Sequence, residues 1–267
     1  MQRIDAHAHA FPDALAARAV AQVARQAGIT PALDGTVAAL LASMERNEVD
    51  ATVICPIATR PEQFAGILKW ARSLPSPRLI PLASVHPADP DPVGKVWQIA
   101  EAGLKGLKLH PYYQDFDLDE ERLFPLYAAV AQAGLVLVSH TGFDVAFPRV
   151  RRAEPARVAR VLERFPTLKF VATHLGAWQD WGEVRRRLIG RPLYIETSFA
   201  LEYLPPAEAR ELLCSHPAER LLWGTDAPWQ DQGVSRRLLE ALQLDAALLV
   251  RIMGANAAAL FERQTAG

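Results

Sequence analysis

The chain has 267 residues, 50% of them hydrophobic, enough to bury a sizeable core in one large α/β domain or in two small ones. Lys and Arg total 29 against 30 Asp and Glu, so neither a basic face for nucleic acid nor an acidic solvating tail is expected. No signal-peptide layout opens the chain, no apolar run reaches membrane-spanning length, and the two cysteines, Cys55 and Cys214, are too few and too distant for a disulfide framework; a cytoplasmic protein without a membrane partner is the expectation.

Short apolar runs alternate with longer helical patterns along the chain. Eight runs read as buried strands: 2–9, 51–57, 79–85, 106–110, 135–140, 169–174, 193–199 and 221–226. Several are rich in Val, Ile and Leu without polar alternation, as strands covered on both faces are. Apolar residues recur at helical spacing through 12–28 (Leu15, Ala19, Val23) and 34–48 (Val37, Leu40, Leu41, Met44). Further helices are expected over 62–73 behind Pro61, 92–102 before Gly103, 119–133 before Gly134, 154–165, 181–189 and 206–213. The tail 234–263 reads as two or three helices, with Gly254 and Asn256 marking a break and a restart.

Eight βα units in a chain of this length predict an α/β protein with a closed (β/α)8 TIM barrel, forming a single domain over 1–267. The stretch 10–50 is longer than one crossover needs and is expected to form a helical excursion over the barrel mouth. An open doubly wound sheet would need a glycine turn after its first strand, where this chain has His7-Ala8-His9-Ala10-Phe11.

A barrel carries its chemistry at the C-terminal ends of its strands. His7 and His9 end the first strand, Lys108 and His110 the fourth, His140 the fifth, His174 the sixth and Asp226 the eighth. Alternation along a strand predicts that Asp5, His7 and His9 share one face. His86 and His216 read instead as a loop residue and a helix terminus. Burying so many polar groups without partners would cost roughly 1–3 kcal/mol for each, and a metal centre is the common explanation. Imidazole and carboxylate donors suit Zn2+, or else Mn2+, Fe2+ or Co2+. Asp226 could hold the ion and accept a proton from water, and His174 could be a further ligand or a free acid/base.

The motifs then bear a resemblance. Ile-Asp-Ala-His-Ala-His (4–9), Gly-Leu-Lys-Gly-Leu-Lys-Leu-His-Pro (103–111), Val-Ser-His-Thr-Gly (138–142), Ala-Thr-His-Leu-Gly (172–176), Trp-Gly-Thr-Asp-Ala-Pro-Trp (223–229) and Gly-Ala-Asn-Ala-Ala-Ala-Leu-Phe (254–261) fall in order and spacing. Together they resemble the amidohydrolase superfamily, in its amidohydrolase-related branch, which includes aminocarboxymuconate semialdehyde decarboxylases and TIM-barrel metal hydrolases. The resemblance implies one of two metal arrangements. With one ion, His7, His9, His140 and Asp226 would hold it and His174 would be the acid/base. With two ions, His7, His9 and Asp226 would hold one, His140 and His174 the other, and an N-carboxylated Lys108 would bridge them. Decarboxylase-like members commonly lack this lysine, so the resemblance leans toward hydrolysis.

Tyr112, Gln114, Phe143, Trp178 and Trp229 directly follow strands and either line a substrate pocket or pack over the barrel top. His110 either supports a ligand or touches substrate, and Glu196 is placed to partner a ligating histidine. The leading expectation is a metal-dependent hydrolase of a small-molecule amide, ester or lactone. A non-oxidative decarboxylase of a small acid uses the same residues, and a binding barrel without activity is the third reading. No Gly-x-Ser-x-Gly elbow supports a serine hydrolase. A homodimer is the expected assembly.

Overall fold

The computed structural model describes residues 2–74 and 76–261. Eight parallel strands follow one another in order: β1 (Ile4–Ala8), β2 (Ala51–Ile54), β3 (Leu79–Pro81), β4 (Gly106–Leu109), β5 (Val136–Ser139), β6 (Lys169–Ala172), β7 (Tyr194–Glu196) and β8 (Leu221–Leu222). Backbone pairing runs continuously from β1 to β3 and from β4 to β8. Two seams close the ring. Ala83, just past β3, bridges Leu107 of β4, and Ala8 of β1 bridges Ala227 beyond β8. At the second seam Ala6 N–H donates to the Trp223 carbonyl at 2.8 Å and Asp226 N–H to the His7 carbonyl at 2.8 Å. The result is the expected (β/α)8 barrel with extra helices.

The helices are α1 (Asp13–Ala27), α2 (Val37–Arg46), α3 (Phe64–Arg72), α4 (Pro92–Glu101), α5 (Phe124–Gln132), α6 (Pro155–Arg164), α7 (Trp181–Arg187), α8 (Pro206–Ser215), α9 (Gln232–Ala241), α10 (Ala246–Val250) and α11 (Asn256–Phe261). Local chemistry sets several boundaries. Thr36 Oγ1 accepts from Ala39 N–H at the start of α2, and Asp231 accepts from Gly233 and Val234 N–H at the start of α9. Among the described residues no helix is long and apolar enough to cross a membrane.

Inside the barrel, Val53, Leu82, Val136, Val138, Val171 and Leu222 form one cluster, which Ala257 and Phe261 of α11 join from the N-terminal end. A larger cluster fills the layer between strands and helices. Of the predicted excursion, α1 lies at the barrel mouth, while Leu40 and Met44 of α2 join the layer between strands and helices.

Three expectations need correction. The strands stop short of their predicted ends, because the residues beyond them turn outward; His174 and Asp226 have φ of 58° and 63°, in the left-handed region. Asp5 does not share a face with His7. The β1–β2 register shifts between Asp5 and Ala8, so a bulge reverses the alternation and leaves Asp5 on the outer side, bonded to Gln232 of α9. Gly254 and Asn256 do not break the tail. The chain stays helical from Ala246 through a π-type turn at Arg251–Ala255 into α11, and the break lies instead before Asp245. Gly254 is there for space, since a Cβ would stand 2.1 Å from the Gln2 carbonyl oxygen. Asn256 donates to the carbonyls of Ala218 and Leu221, both at 2.7 Å. Residues 262–263 of the predicted tail lie outside the described residues.

Candidate metal centre and its cavity

The bulge in β1 turns His7 and His9 into the barrel mouth. Each ring has its Nδ1 engaged from behind. His7 Nδ1 donates to Glu196 Oε1 at 3.1 Å, and His9 Nδ1 to the Cys55 carbonyl at 2.7 Å. That fixes both tautomers and leaves both Nε2 lone pairs free to accept. They converge on Asp226 Oδ1, at 3.4 Å from His7 and 3.0 Å from His9. Burial, and then the Lys108 charge, hold His7 well below the ordinary histidine range, so its ring is neutral and able to ligate.

Asp226 is held in place by its neighbours. Buried Asp5 accepts from Thr225 N–H at 3.0 Å, Thr225 Oγ1 at 2.6 Å and Gln232 Nε2 at 2.9 Å. Burial pushes its carboxyl up to about 6. Glu196, raised by burial to about 7, accepts from Ser198 Oγ at 2.7 Å and from His174 N–H at 3.0 Å. Gly224 makes room for it, since a Cβ there would lie 2.3 Å from Glu196 Oε2.

Lys108 is fully buried, and its Nζ lies 3.0 Å from His7 Nε2. Desolvation lowers its pKa. A cationic group thus stands in at the nitrogen where an ion would bind. Two imidazole nitrogens and one carboxylate oxygen form a donor set that suits a borderline divalent metal.

His140 and His174 form the neighbouring pair. His140 Nε2 donates to the Phe143 carbonyl at 2.9 Å and His174 Nδ1 to the Ser198 carbonyl at 3.1 Å. Their remaining nitrogens, His140 Nδ1 and His174 Nε2, face each other at 3.0 Å. Two bare lone pairs at that distance need a shared proton or cation. Burial pulls His174 down to about 4 and His140 well below its ordinary value, which disfavours a proton at that position. A second His/His/Asp cluster lies alongside. His110 Nε2 is 3.3 Å and His140 Nε2 3.7 Å from Asp144 Oδ2, and the His110 and His140 rings stack at 4.3 Å. Both clusters can chelate a divalent ion.

A cavity of about 830 Å³ opens over these groups. Its lining includes His7, His9, Lys108, His140, His174 and Asp226, so all six sequence-predicted ligands are brought together. His110, Tyr112, Trp178 and Trp229 also line it, and the Tyr112 hydroxyl reaches the Gly142 and Val150 carbonyls at 2.9 and 2.7 Å. Phe143 does not line it; its ring packs with Trp178 and Phe199 and carries the Arg149 guanidinium at 3.8 Å. Gln114 is likewise absent from the wall, and its side chain ties His110 N–H to the carbonyls of Ala58 and Val85. Sequence reasoning missed Asp144 and Ser198. Both sit in irregular loops, where strand alternation gives no signal.

Imidazole and carboxylate clusters at the C-terminal mouth of a parallel eight-stranded barrel define a metal-coordinating TIM-barrel enzyme. The amidohydrolase family model matches residues 4–263, and the chain belongs to that family, the Amidohydrolase_2 branch of the amidohydrolase superfamily. A search of curated proteins found no match. Among solved structures, the chain is similar to an uncharacterized TIM-barrel protein from Bordetella bronchiseptica, at 22% identity and TM-score 0.78 over 97% of this chain and 98% of that one. It is similar to 5-carboxyvanillate decarboxylase from Sphingomonas paucimobilis, at 16% identity and TM-score 0.70 over 97% and 98%. It also resembles a probable 2-pyrone-4,6-dicarboxylic acid hydrolase from Acinetobacter baumannii, at 15% identity and TM-score 0.67 over 98% and 99%. At these identities the likeness establishes the shared fold, across names that divide between hydrolase and decarboxylase.

Proposed function

We propose that the protein is a metal-dependent hydrolase acting, as one catalytic domain, on an amide, ester or lactone of a small molecule. The observation that carries this reading is Lys108, buried with its Nζ 3.0 Å from His7 Nε2. Desolvation depresses the pKa of this lysine, which favours the neutral amine that reacts with CO2. Carboxylated, it would bridge two ions, one held by His7, His9 and Asp226 and the other by His140 Nδ1 and His174 Nε2. Zinc is the proposed metal, with manganese, iron and cobalt as competitors.

When bound, such an ion supplies Lewis acidity to the substrate carbonyl and acidity to water. The chain's own groups do the rest. Asp226 Oδ1 faces the two imidazoles, and Oδ2 is the atom proposed to take the proton of the attacking water and return it to the leaving group. Glu196 and the Cys55 carbonyl hold the ligand rings in the correct tautomer. If one ion binds, His140 joins the first set, and His174 Nε2 carries the proton to or from substrate. Turnover in isotope-labelled water tests the proposal: label is expected in the product acid. Release of CO2 together with an organic product free of 18O would instead assign decarboxylation to the same residues. Metal analysis, together with carbon NMR after labelled bicarbonate, would report ion number and Lys108 carboxylation.

A further inference from the structure

Helix α1 leaves the barrel after β1 and buries only Ala16 and Val20. Leu15, Arg18, Ala19, Gln22, Val23 and Gln26 recur at three- and four-residue steps, so they occupy one helical stripe, and all six line the cavity. The stripe therefore does little for the core and faces whatever enters the cavity. Its far end is tied across the mouth, where Gln26 Nε2 donates to the Ala146 carbonyl at 3.3 Å.

Arg18 is the unusual member. Four Lys, Arg and Asp side chains line the cavity: Arg18, Lys108, Asp144 and Asp226. Lys108 lies against His7, Asp144 against His110, and Asp226 against His7 and His9. Arg18 has no hydrogen bond or ion pair among the described residues. The remaining wall is largely apolar and aromatic, with Ile67, Trp70, Phe147, Trp178 and Trp229. The cavity thus has a buried floor of ionisable groups, a largely apolar wall and one solvent-exposed guanidinium on α1.

We infer that Arg18 reads a carboxylate carried by the substrate at the end remote from the reacting bond. The substrate class is then a small amphipathic acid: a hydrolysable group at the floor, an apolar body against the aromatic wall, and a carboxylate at Arg18. This inference rests on the proposed metal-centred site. The guanidinium offers a forked donor pair that fits a carboxylate. The arrangement sets polarity as well as affinity, since an acid bound in reverse would leave Arg18 facing an apolar or neutral end.

Isothermal titration calorimetry on the metal-loaded full chain tests it without turnover. The probes are straight-chain dicarboxylates from succinate to pimelate, each paired with the monocarboxylate of equal length. In the native chain one dicarboxylate length is expected to bind about tenfold tighter than its monocarboxylate, the scale of one charge-assisted contact near solvent. Arg18→Gln should bring that ratio close to one, Arg18→Lys should restore part of it, and added salt should shrink it. The absence of a dicarboxylate advantage at every length, or an advantage that survives Arg18→Gln, would overturn the inference. The readout is binding, so a failure of the labelled-water experiment leaves this result intact, and the reverse also holds.

Discussion

An imidazole that is to hold a cation must keep one nitrogen bare, and its neighbours decide which. For His7 the decision belongs to Glu196 and for His9 to the Cys55 carbonyl. Glu196→Gln should therefore weaken metal binding by roughly 10–100-fold, as loss of such orienting partners does elsewhere, read by competition with a chromogenic chelator. His9→Ala should cost more, leaving the purified protein nearly metal-free. Because its side chain reaches the cavity surface, chelator-treated His9→Ala and native protein should melt within a few degrees of each other. A large drop in melting temperature with metal retained would contradict that. Much of this centre was legible in the sequence. Histidines, a lysine and an aspartate at the ends of regular apolar strands need only their position to be placed. Asp5, Asp144 and Ser198 were not legible, since a bulge reversed the first and irregular loops aim the other two.

At the scale of elements, the barrel was readable because each strand is a short Val- and Ile-rich run covered on both sides. The strand ends were less so, because left-handed residues at His174 and Asp226 turn the chain away from the ladder while keeping the residue type that suggests continuation. Two substitutions probe how the elements frame the site. Gly224→Ala forces a methyl against Glu196 Oε2, and overpacking of this kind costs about 1–3 kcal/mol. Denaturant titration should show that loss, together with weaker metal binding. Ala19→Trp instead fills the cavity from the α1 stripe. It should raise KM about tenfold or more while metal content stays stoichiometric; loss of metal would show that α1 supports the floor as well as the wall.

For the molecule as a whole, the buried ionisable groups set the dependence of stability on pH. His7, His86, His110, His140, His174 and His216 all have pKa values pulled below the ordinary 6.5, with burial the first cause for each. The unfolded chain protonates them first, so the stability they contribute is present above 6.5 and is lost as pH falls toward the folded values, about 4 for His174. Asp5 and Glu196 act in the opposite sense. Their folded values of about 6 and 7 lie above the ordinary 3.8 and 4.5, so their contribution declines as pH rises through that interval. Six groups outweigh two. Metal-free protein should become more stable from about pH 5 to 6.5 and level off near 7, as thermal melts in chelator would show. With metal bound, the acid limb should steepen, because protons then compete with the ion for the same nitrogens.

The closing seam has a consequence for biosynthesis. Asp5 bonds Thr225 across a separation of 220 positions, and the His7 carbonyl accepts the N–H of Asp226. A ribosome delivers His9 217 positions before Asp226, and His7 two positions earlier still. The nascent chain therefore presents half of a chelate throughout that interval. A fragment ending after β7 should hold no ion at the stoichiometry of the whole chain, and ion capture by the full chain can serve as a clock for the moment the ring shuts.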